Sequence, residues 1–367
     1  MLLFKGPRDQ LLAPLQSVCG IVEKRHTLPI LSNVLLELDQ GRLTLLATDI
    51  EIQIRTETGG SGKDKAALTV GARKMQDILR SLPESAEVSL SYEDKRLQLK
   101  AGKSRFNLQT LPAEDFPRMA AGDGARTELK LTQKQFKRLI SLVQYAMAQQ
   151  DIRYYLNGLL VVVSGNEMRV VATDGHRLAF AAEALPTDMG RIEVILPRKT
   201  ILELSRQLAD NDEALDIILT PSQAQFRFGN IELISKLIDG KFPDYERVIP
   251  QHHTKAIKLS RDILLHSLQR AAILTNEKFR GVRLVLSPGS LKILSTNAEQ
   301  EEAQEEIEID YQGENLDVGF NVNYLQDVLT NLADEFIECR LADANSSALF
   351  VLPDNERFKY VVMPMRI

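Results

Sequence analysis

The sequence has few cysteines and no long apolar run, and both absences limit where the chain can work. Cys19 and Cys339 are the only cysteines among 367 residues, so we expect buried thiols in a reducing compartment rather than a disulfide pair. No apolar stretch approaches the roughly 20 residues that span a bilayer. The opening MLLFKGPRDQLLAPL also lacks a charged leader followed by an apolar segment and a cleavage site. We therefore expect a cytoplasmic protein without a membrane anchor or a signal peptide.

Catalytic and metal-binding motifs are also missing. The sequence contains no GxxxxGK, HExxH, CxxC or GxSxG string. None of the five histidines has zinc-ligand spacing with the cysteines; they are His26, His176, His252, His253 and His266. With 44% hydrophobic and 26% charged residues, the composition is that of an ordinary globular protein long enough for two or three cores. We expect no enzyme, no cofactor and no metal.

What the sequence does contain is a threefold internal repeat. LSNVLLEL (31–38) returns as LNGLLVVV (156–163) and FRGVRLVL (279–286), and LLATDIEI (45–52) returns as VVATDGHR (170–177) and ILSTNAEQ (293–300). A third segment, GARKMQDIL (71–79), returns as PRKTILEL (197–204) and NVNYLQDVL (321–329). The copies are about 124 residues apart, a period that suits a whole domain rather than a solenoid repeat. The sequence predicts three copies of one domain, at residues 1–126, 127–254 and 255–367.

The repeat also bears on the one string that looks enzymatic, TDGHRLA (173–179). Asp174 and His176 could form an acid–base pair. However, the equivalent positions of the other copies are Thr48-Asp49 without a histidine and Thr296-Asn297 without an ionisable group. Asp and Asn both hydrogen-bond their own backbone after a strand, so we favour a structural turn over a catalytic pair.

Apolar periodicity predicts two helices and several short strands in each copy. The helices lie near 8–21, 71–82, 132–149, 197–209, 260–274 and 321–333, with Thr132 as an N-cap and Pro197 as a first helical residue. In the middle copy, the strand-like runs are 159–163, 168–172, 216–220, 224–228 and 232–238, with turns at 164–166 and 228–230. TGGSGKDK (58–65) is predicted to be a hairpin loop and AAGDGART (120–127) an inter-domain linker. The fold class is α+β, with two helices packed on antiparallel sheets in each domain.

The net charge differs in sign between the predicted helices and the rest of the chain. The net charge is −5, yet the six segments that contain the predicted helices together carry +9, so the remaining residues carry −14. On the 132–149 helix, Lys134 and Arg138 oppose an apolar stripe of Phe136, Leu139, Ile140, Val143 and Met147. An ordinary solvated helix face would account for the charges of any one of these helices. It accounts poorly for a net positive charge on the helical segments together and a net negative charge on the rest of the chain. The pattern predicts a basic helical surface on an otherwise acidic molecule.

Several long strings resemble one known family. VVATDGHRLA (170–179), QQDIRYYLNGLL (149–160), SKLIDGKFPDYERVIP (235–250), ILTNEKFRGVRL (273–284) and YVVMPMRI (360–367) are similar to the bacterial DNA sliding clamps, the beta subunits of DNA polymerase III. The resemblance implies a head-to-tail homodimer whose six domains form a ring around duplex DNA. It also implies partners: double-stranded DNA, DNA polymerase III and other polymerases, a clamp loader, and other replication and repair proteins with peptide motifs.

The resemblance assigns three sets of residues. The DNA-facing set is Arg25, Arg73, Lys74, Gln150, Arg153, Tyr154, Tyr155, Arg198, Lys199, Lys278 and Arg280, where one of the two tyrosines could instead belong to the core.

A second set forms a hydrophobic pocket for partner peptides with a Gln and Leu/Phe-type motif. It contains Arg153, Leu156, Thr173, Gly175, His176, Arg177, Leu178, Pro243, Arg247, Val248, Val361, Met363, Pro364, Met365 and Arg366. Met side chains suit a surface that repacks around different peptides, and the three arginines at 177, 247 and 366 could meet acidic groups at the rim. Met363 could equally belong to a buried terminal strand. Only the middle copy carries Gly-His-Arg after Thr-Asp, so we expect one such pocket per chain.

The third set closes the ring, with basic residues in the first copy and acidic residues in EQEEAQEEIEID (299–310) of the third. It comprises Lys74, Ile78, Lys103, Arg105, Leu108, Ile273, Leu274, Glu299, Glu301, Glu302 and Glu305. The acidic run could also be a solvated surface strand or helix. Two other functions stay open, a metal-dependent enzyme acting on nucleic acid and a structural scaffold that does not bind DNA.

Overall fold

The structure, a computed structural model, describes residues 1–23, 28–62, 64–120 and 122–367. The chain forms two compact units, one of residues 1–134 and 203–237 and the other of residues 135–202 and 238–367. In chain order the strands are β1 (Leu2–Pro7), β2 (Asn33–Asp39), β3 (Arg42–Thr48), β4 (Ile52–Gly59), β5 (Ala66–Gly71), β6 (Glu87–Glu93), β7 (Arg96–Ala101), β8 (Ser104–Leu111), β9 (Thr127–Thr132), β10 (Gly158–Thr173), β11 (Arg177–Pro197), β12 (Ala214–Leu219), β13 (Gln223–Phe228), β14 (Ile231–Lys236), β15 (Lys255–Ser260), β16 (Gly281–Ser287), β17 (Ser290–Thr296), β18 (Glu302–Glu308), β19 (Leu316–Asn321), β20 (Phe336–Leu341), β21 (Ala348–Leu352) and β22 (Asn355–Val362).

Six α-helices lie within the described residues. They are α1 (Arg8–Cys19), α2 (Ala72–Ser81), α3 (Gln133–Val143), α4 (Arg198–Gln207), α5 (Arg261–Ala272) and α6 (Val322–Asn331). Each helix follows directly on a strand: β1, β9 and β15 lead into α1, α3 and α5, and β5, β11 and β19 lead into α2, α4 and α6. Helices α2, α4 and α6 begin at residues 72, 198 and 322, which are 126 and 124 residues apart. The threefold repeat and the six predicted helices are therefore confirmed.

The sheets are antiparallel throughout their described pairings. The first unit holds a twelve-stranded sheet in the order β1-β6-β7-β8-β5-β2-β3-β4-β14-β13-β12-β9. The second unit holds a six-stranded sheet, β10-β11-β22-β21-β20-β15, and a four-stranded sheet, β18-β17-β16-β19. Meandering antiparallel sheets with interspersed helices agree with the predicted α+β class.

The predicted apolar stripe of α3 is buried. Phe136 and Ile140 are wholly inaccessible to solvent, whereas Lys134 and Arg138 on the opposite side are exposed. The helix itself ends at Val143, earlier than the predicted 149, because the chain tightens into a 3₁₀ turn at Gln144–Ala146. Removing apolar side chains from water on one face stabilises the helix far more than its intrinsic propensity does.

Three local predictions are wrong. The predicted turn at 164–166 lies inside β10, where the pairing with β11 shifts register on either side of Gly165. The 58–65 segment joins β4 to β5 but is not a hairpin loop, because β2 and β3 lie between those strands in the sheet. Pro197 ends β11 by pairing with Gly158, so α4 begins one residue later than predicted.

Candidate functional site

The Thr-Asp turns of the three copies are held by their own side chains. The Asp49 carboxylate accepts hydrogen bonds from the backbone N–H groups of Glu51 and Ile52 at 2.9 and 2.8 Å. Asp174 accepts from His176 and Arg177 at 2.9 and 3.1 Å, and the Asn297 side chain accepts from Glu301 at 2.9 Å. Because Asn serves as well as Asp, the turn needs an acceptor and not a charge. The structural interpretation of Asp174 is confirmed.

Beside the middle turn lies an apolar cavity of about 180 Å³ in the second unit. It is lined by Arg153, Leu156, Thr173, Gly175, His176, Arg177, Leu178, Pro243, Tyr245, Val248, Val361 and Met363. Eleven of the fifteen predicted pocket residues are in this set, and Tyr245 is the one that the sequence missed. The only signal for Tyr245 was its place inside the string SKLIDGKFPDYERVIP. We call this cavity the apolar pocket.

Three strands and the loops before β10 and after β14 build the apolar pocket. Leu178 of β11 pairs with Val361 of β22 and, on its other side, with Thr173 of β10. Leu178 and Val361 are 2% and 1% exposed and form the base. Val248 and Met363 are 37% and 43% exposed and form the rim. A deep apolar base with a half-exposed rim is the form of site that takes apolar side chains of a ligand.

The guanidinium of Arg153 covers the middle turn. It donates to both carboxylate oxygens of Asp151, at 3.0 and 2.9 Å, and to the backbone oxygen of Asp174 at 3.3 Å. These hydrogen bonds from Arg153 lower the pKa of Asp151 to about 2. A Cβ atom at Gly175 would lie 2.9 Å from the Arg153 guanidinium, and the φ of Gly175 is +89°. The positive φ favours glycine at this position, and the missing Cβ lets the arginine side chain lie close over the turn.

Arg177 lies deeper than predicted. Its side chain is 10% exposed and donates to Asp174 at 3.1 Å, to Asp327 at 2.5 Å and to the Tyr145 backbone oxygen at 2.6 Å. The guanidinium also lies 4.4 Å from the centre of the Tyr324 ring. Three N–H groups of Arg177 are thus bonded within this chain and little of the side chain is exposed, so Arg177 lies in the pocket wall and not, as predicted, at an open rim. A buried arginine is stable only when hydrogen-bonding and charged partners compensate for the water that it loses.

Four predicted pocket residues lie outside the cavity: Arg247, Pro364, Met365 and Arg366. The Arg247 side chain is 87% exposed and pairs with Asp244 at 2.9 Å. After Met363, whose backbone N–H donates to the His176 oxygen at 2.9 Å, the chain turns towards β19 and Met365 donates to the Gly319 oxygen at 2.8 Å. This second hydrogen bond directs the C-terminal residues away from the apolar pocket.

The predicted DNA-facing residues fall into both units. In the first, Lys74 is exposed, whereas Arg73 is half-buried and donates to the Val22 oxygen at 2.6 Å. Arg25 lies outside the described residues. Contact between the first unit and DNA stays a prediction. Of its predicted DNA-facing residues that the structure describes, Lys74 is the exposed one.

In the second unit, the loop before β10 is strongly exposed. Tyr154 is 58% exposed and Ile152 is 96% exposed, and Gln150 is exposed with a φ of +56°. Tyr155 instead packs against the core, which confirms the alternative that one of the two tyrosines belongs there.

The remaining cations of the second unit differ in exposure. Arg198 is half-buried and donates to the Met147 oxygen at 3.2 Å, and burial together with Arg177 lowers its pKa. Lys199 and Arg280 are half-buried, whereas Lys278 is exposed beside the Phe279 ring.

Two strand edges carry the residues predicted to close a ring. In the first unit, the described part of β8 pairs with β7 from Ser104 to Gln109 but with β5 only at Thr110 and Leu111. Lys103 and Arg105 are exposed beside this edge, and Ile78 and Leu108 are half-buried.

In the second unit, β18 is the edge strand of its sheet and contains Glu302 and Glu305. Glu299, Glu301 and Glu302 are exposed, but Glu305 already pairs with Arg270 at 2.5 Å. Ile273 is 76% exposed and Leu274 is half-buried. The acidic run is thus a solvated edge strand within this chain.

Across the described parts of the chain, no group of three or more His, Cys, Asp and Glu side chains is placed to hold a metal ion. In the same residues, no helix is long and apolar enough to cross a membrane.

The threefold module, its antiparallel sheets and the apolar pocket beside the middle turn define a DNA-clamp fold. Family models agree along the chain: the N-terminal domain of the DNA polymerase III beta subunit matches residues 2–120, the central domain 130–244 and the C-terminal domain 246–366. The chain belongs to this family, the bacterial beta sliding clamps, and its function is that of a sliding clamp for DNA polymerase III.

Individual relatives match over their full length. The beta sliding clamp of Pseudomonas putida is 48% identical, covering 99% of this chain and 100% of the relative. A crystal structure of the Pseudomonas aeruginosa sliding clamp bound to griselimycin is 46% identical with a TM-score of 0.96. That of the Caulobacter crescentus clamp, with polyethylene glycol bound to a putative beta-motif tethering region, is 41% identical with a TM-score of 0.94. Both structures cover 100% of each chain.

Proposed function

We propose that two copies of the chain close head to tail into a ring that encircles duplex DNA without reading its sequence, and that the apolar pocket tethers partner proteins to it. Each copy would contribute three clamp domains, at 1–126, 127–254 and 255–367. The partners would be DNA polymerase III, other polymerases, a clamp loader that opens the ring, and replication and repair proteins with peptide motifs. The protein would work in the cytoplasm as a non-catalytic processivity factor.

The two strand edges support the head-to-tail closure. An open edge presents unpaired backbone donors and acceptors, so β8 of one copy and β18 of another can pair as neighbouring strands. The β8 edge is basic and the β18 edge is acidic, which favours pairing of unlike edges over pairing of like ones. The exposed side chain of Ile273 would be covered in the same contact.

Exposed cations on helices and loops support the DNA assignment. Lys74, Lys134, Arg138 and Lys278 are all exposed, and none needs a base edge to attract a polyanion. Phosphate contacts made by flexible basic side chains give affinity and a salt dependence but no sequence preference. A clamp that slides requires this kind of contact.

The apolar pocket carries the tethering proposal, because eleven residues expected from the family resemblance surround one cavity. The cavity of about 180 Å³ can take one or two apolar side chains, and Met363 at the rim can change rotamer to suit different peptides. The His176 and Gly175 backbone lies at the pocket wall. No observation favours the metal-dependent enzyme.

Two measurements test this proposal: the mass of the protein in solution and its retention on circular DNA. Light scattering should give twice the chain mass of 41.2 kDa, and the protein loaded on a nicked circular plasmid should be retained until the plasmid is linearised. A monomer, or equal retention on circular and linear DNA, would contradict the ring. Activity on DNA that disappears in EDTA would instead favour the enzyme.

A further inference from the structure

A larger groove of about 610 Å³ adjoins the apolar pocket in the second unit. Tyr245 lines both cavities. The floor of the groove is apolar, since Phe180, Ala182 and Ile249 are each less than 10% exposed. Leu178 of the pocket and Phe180 and Ala182 of the groove are alternate residues of β11, so they face the same side of the sheet. The groove is therefore a continuation of the apolar pocket.

The strand register sets an order of side chains along this continuation. Val361 pairs with Leu178 at the pocket, and Lys359 pairs with Phe180 one step further. Alternate residues of a strand are about 6.6 Å apart. Lys359 and Arg357 thus lie about 7 and 13 Å beyond Val361 in one row that leads out of the pocket. An extended peptide that leaves the pocket along this row would meet Lys359 first and Arg357 second.

These two cations have no acidic partner within the described residues, where neither lies within 4.0 Å of a carboxylate. The Lys359 ammonium lies 5.3 Å from the centre of the Phe180 ring. Arg169 on the opposite wall differs, because it pairs with both Glu167 and Glu246. On that wall one guanidinium is thus shared by two carboxylates.

The other acids of the groove, Asp354 and Glu356, lie beyond Arg357, near the start of β22. In the row that leads out of the pocket, the charges nearest the pocket are thus two cations without an ion-pair partner. Since the partially enclosed groove screens them less than open water does, a nearby carboxylate on a ligand would be favoured.

We propose that this groove binds the residues that flank the apolar motif of a partner peptide, and that Lys359 and Arg357 select acidic residues at those positions. This inference rests on the proposed function of the apolar pocket, because the motif must be seated there for its flank to reach the groove. The apolar pocket then supplies affinity for any motif-bearing partner, and the two cations rank the partners by the charge beside the motif.

The test uses peptides that share one Gln and Leu/Phe-type motif and differ only in their flanks, with two Asp or two Asn residues on both sides. Fluorescence anisotropy should show about three- to tenfold tighter binding of the Asp-flanked peptide to the wild-type protein, the effect of one or two exposed charge pairs. The preference should shrink in high salt. In the double variant Lys359→Ala, Arg357→Ala the preference should vanish while the Asn-flanked peptide binds as before.

A matched control is Lys258→Ala. Lys258 also lies over a phenylalanine ring, 4.6 Å from that of Phe336, but on β15 at the far edge of the same sheet. It should leave the preference intact. Equal affinity of the wild type for the two peptides, or a preference that survives the double variant, would overturn the inference while leaving the apolar pocket as proposed. Failure of every motif peptide to bind the wild type would instead refute the pocket function, and this inference with it.

Discussion

Replacing Gly319 with alanine should displace the C-terminal residues and weaken peptide binding, although Gly319 does not line the apolar pocket. A Cβ atom at this position would lie 2.5 Å from the Met365 oxygen and 2.7 Å from the Ile367 side chain. Real Cβ atoms do not approach a backbone oxygen so closely, so the segment from Met365 to Ile367 must move. The movement breaks the 2.8 Å hydrogen bond from the Met365 N–H to the Gly319 oxygen.

The expected loss of peptide affinity can be estimated from the contacts that the C-terminal segment makes. Loss of that hydrogen bond removes about 0.5–1.5 kcal/mol, and Met363, two residues earlier, loses part of its fixed position at the pocket rim. If the whole of this loss falls on binding, peptide affinity should fall by about 2- to 13-fold. Deleting residues 363–367 removes the Met363 wall altogether and should abolish binding without unfolding the protein, since the segment is terminal.

The assay is fluorescence anisotropy with a motif peptide on three proteins: Gly319→Ala, the 363–367 deletion and the control Gly190→Ala. Gly190 is also a strand glycine, but a Cβ atom there would meet nothing within 4 Å. The control should bind like the wild type, and circular dichroism should show all three folded. Wild-type affinity in Gly319→Ala would refute the reasoning, as would an equal loss in Gly190→Ala.

Three further outcomes are expected. Replacing Ile273 and Leu274 with Ala and Asp should yield monomers in sedimentation, because the change removes apolar contact and adds charge beside an acidic edge; a stable dimer would place the interface elsewhere. Reversing the charge of Arg198 and Lys199 should weaken binding to duplex DNA and flatten its salt dependence by up to about one unit of log–log slope per lost phosphate contact, without creating a sequence preference. Burial raises the pKa of the Cys19 thiol and that of the Cys339 thiol from 9.0 to about 12, so the native protein should not react with a thiol reagent at pH 8 and should react after denaturation. Since these pKa values are raised in the folded state, their contribution to stability is present below pH 9 and is lost as the pH rises towards 12, which unfolding measured against pH would show.

The sequence could predict the features that depend on local pattern. Spacing of about 124 residues indicated three domains, and apolar residues recurring every three or four positions indicated the helices. The loss of charge from Asp174 to Asn297 indicated a turn held by a side-chain acceptor, as the hydrogen bonds show. Membership of the family then pointed to most of the apolar pocket. These inferences succeed because periodicity and turn chemistry act over a few residues.

Only the tertiary structure decided which distant side chains meet. The sequence predicts Arg177 at the pocket rim, but the pairing of β11 with β22 and the approach of Asp327, 150 residues away, place it in the pocket wall. The same strand pairing joins Leu178 to Val361 and Phe180 to Lys359, which makes the groove continuous with the pocket. A sequence fixes which face of its strand a residue occupies. Which strand lies beside it follows from packing and hydrogen bonding of the whole sheet, because each strand edge can pair with many others and only the folded arrangement satisfies them all.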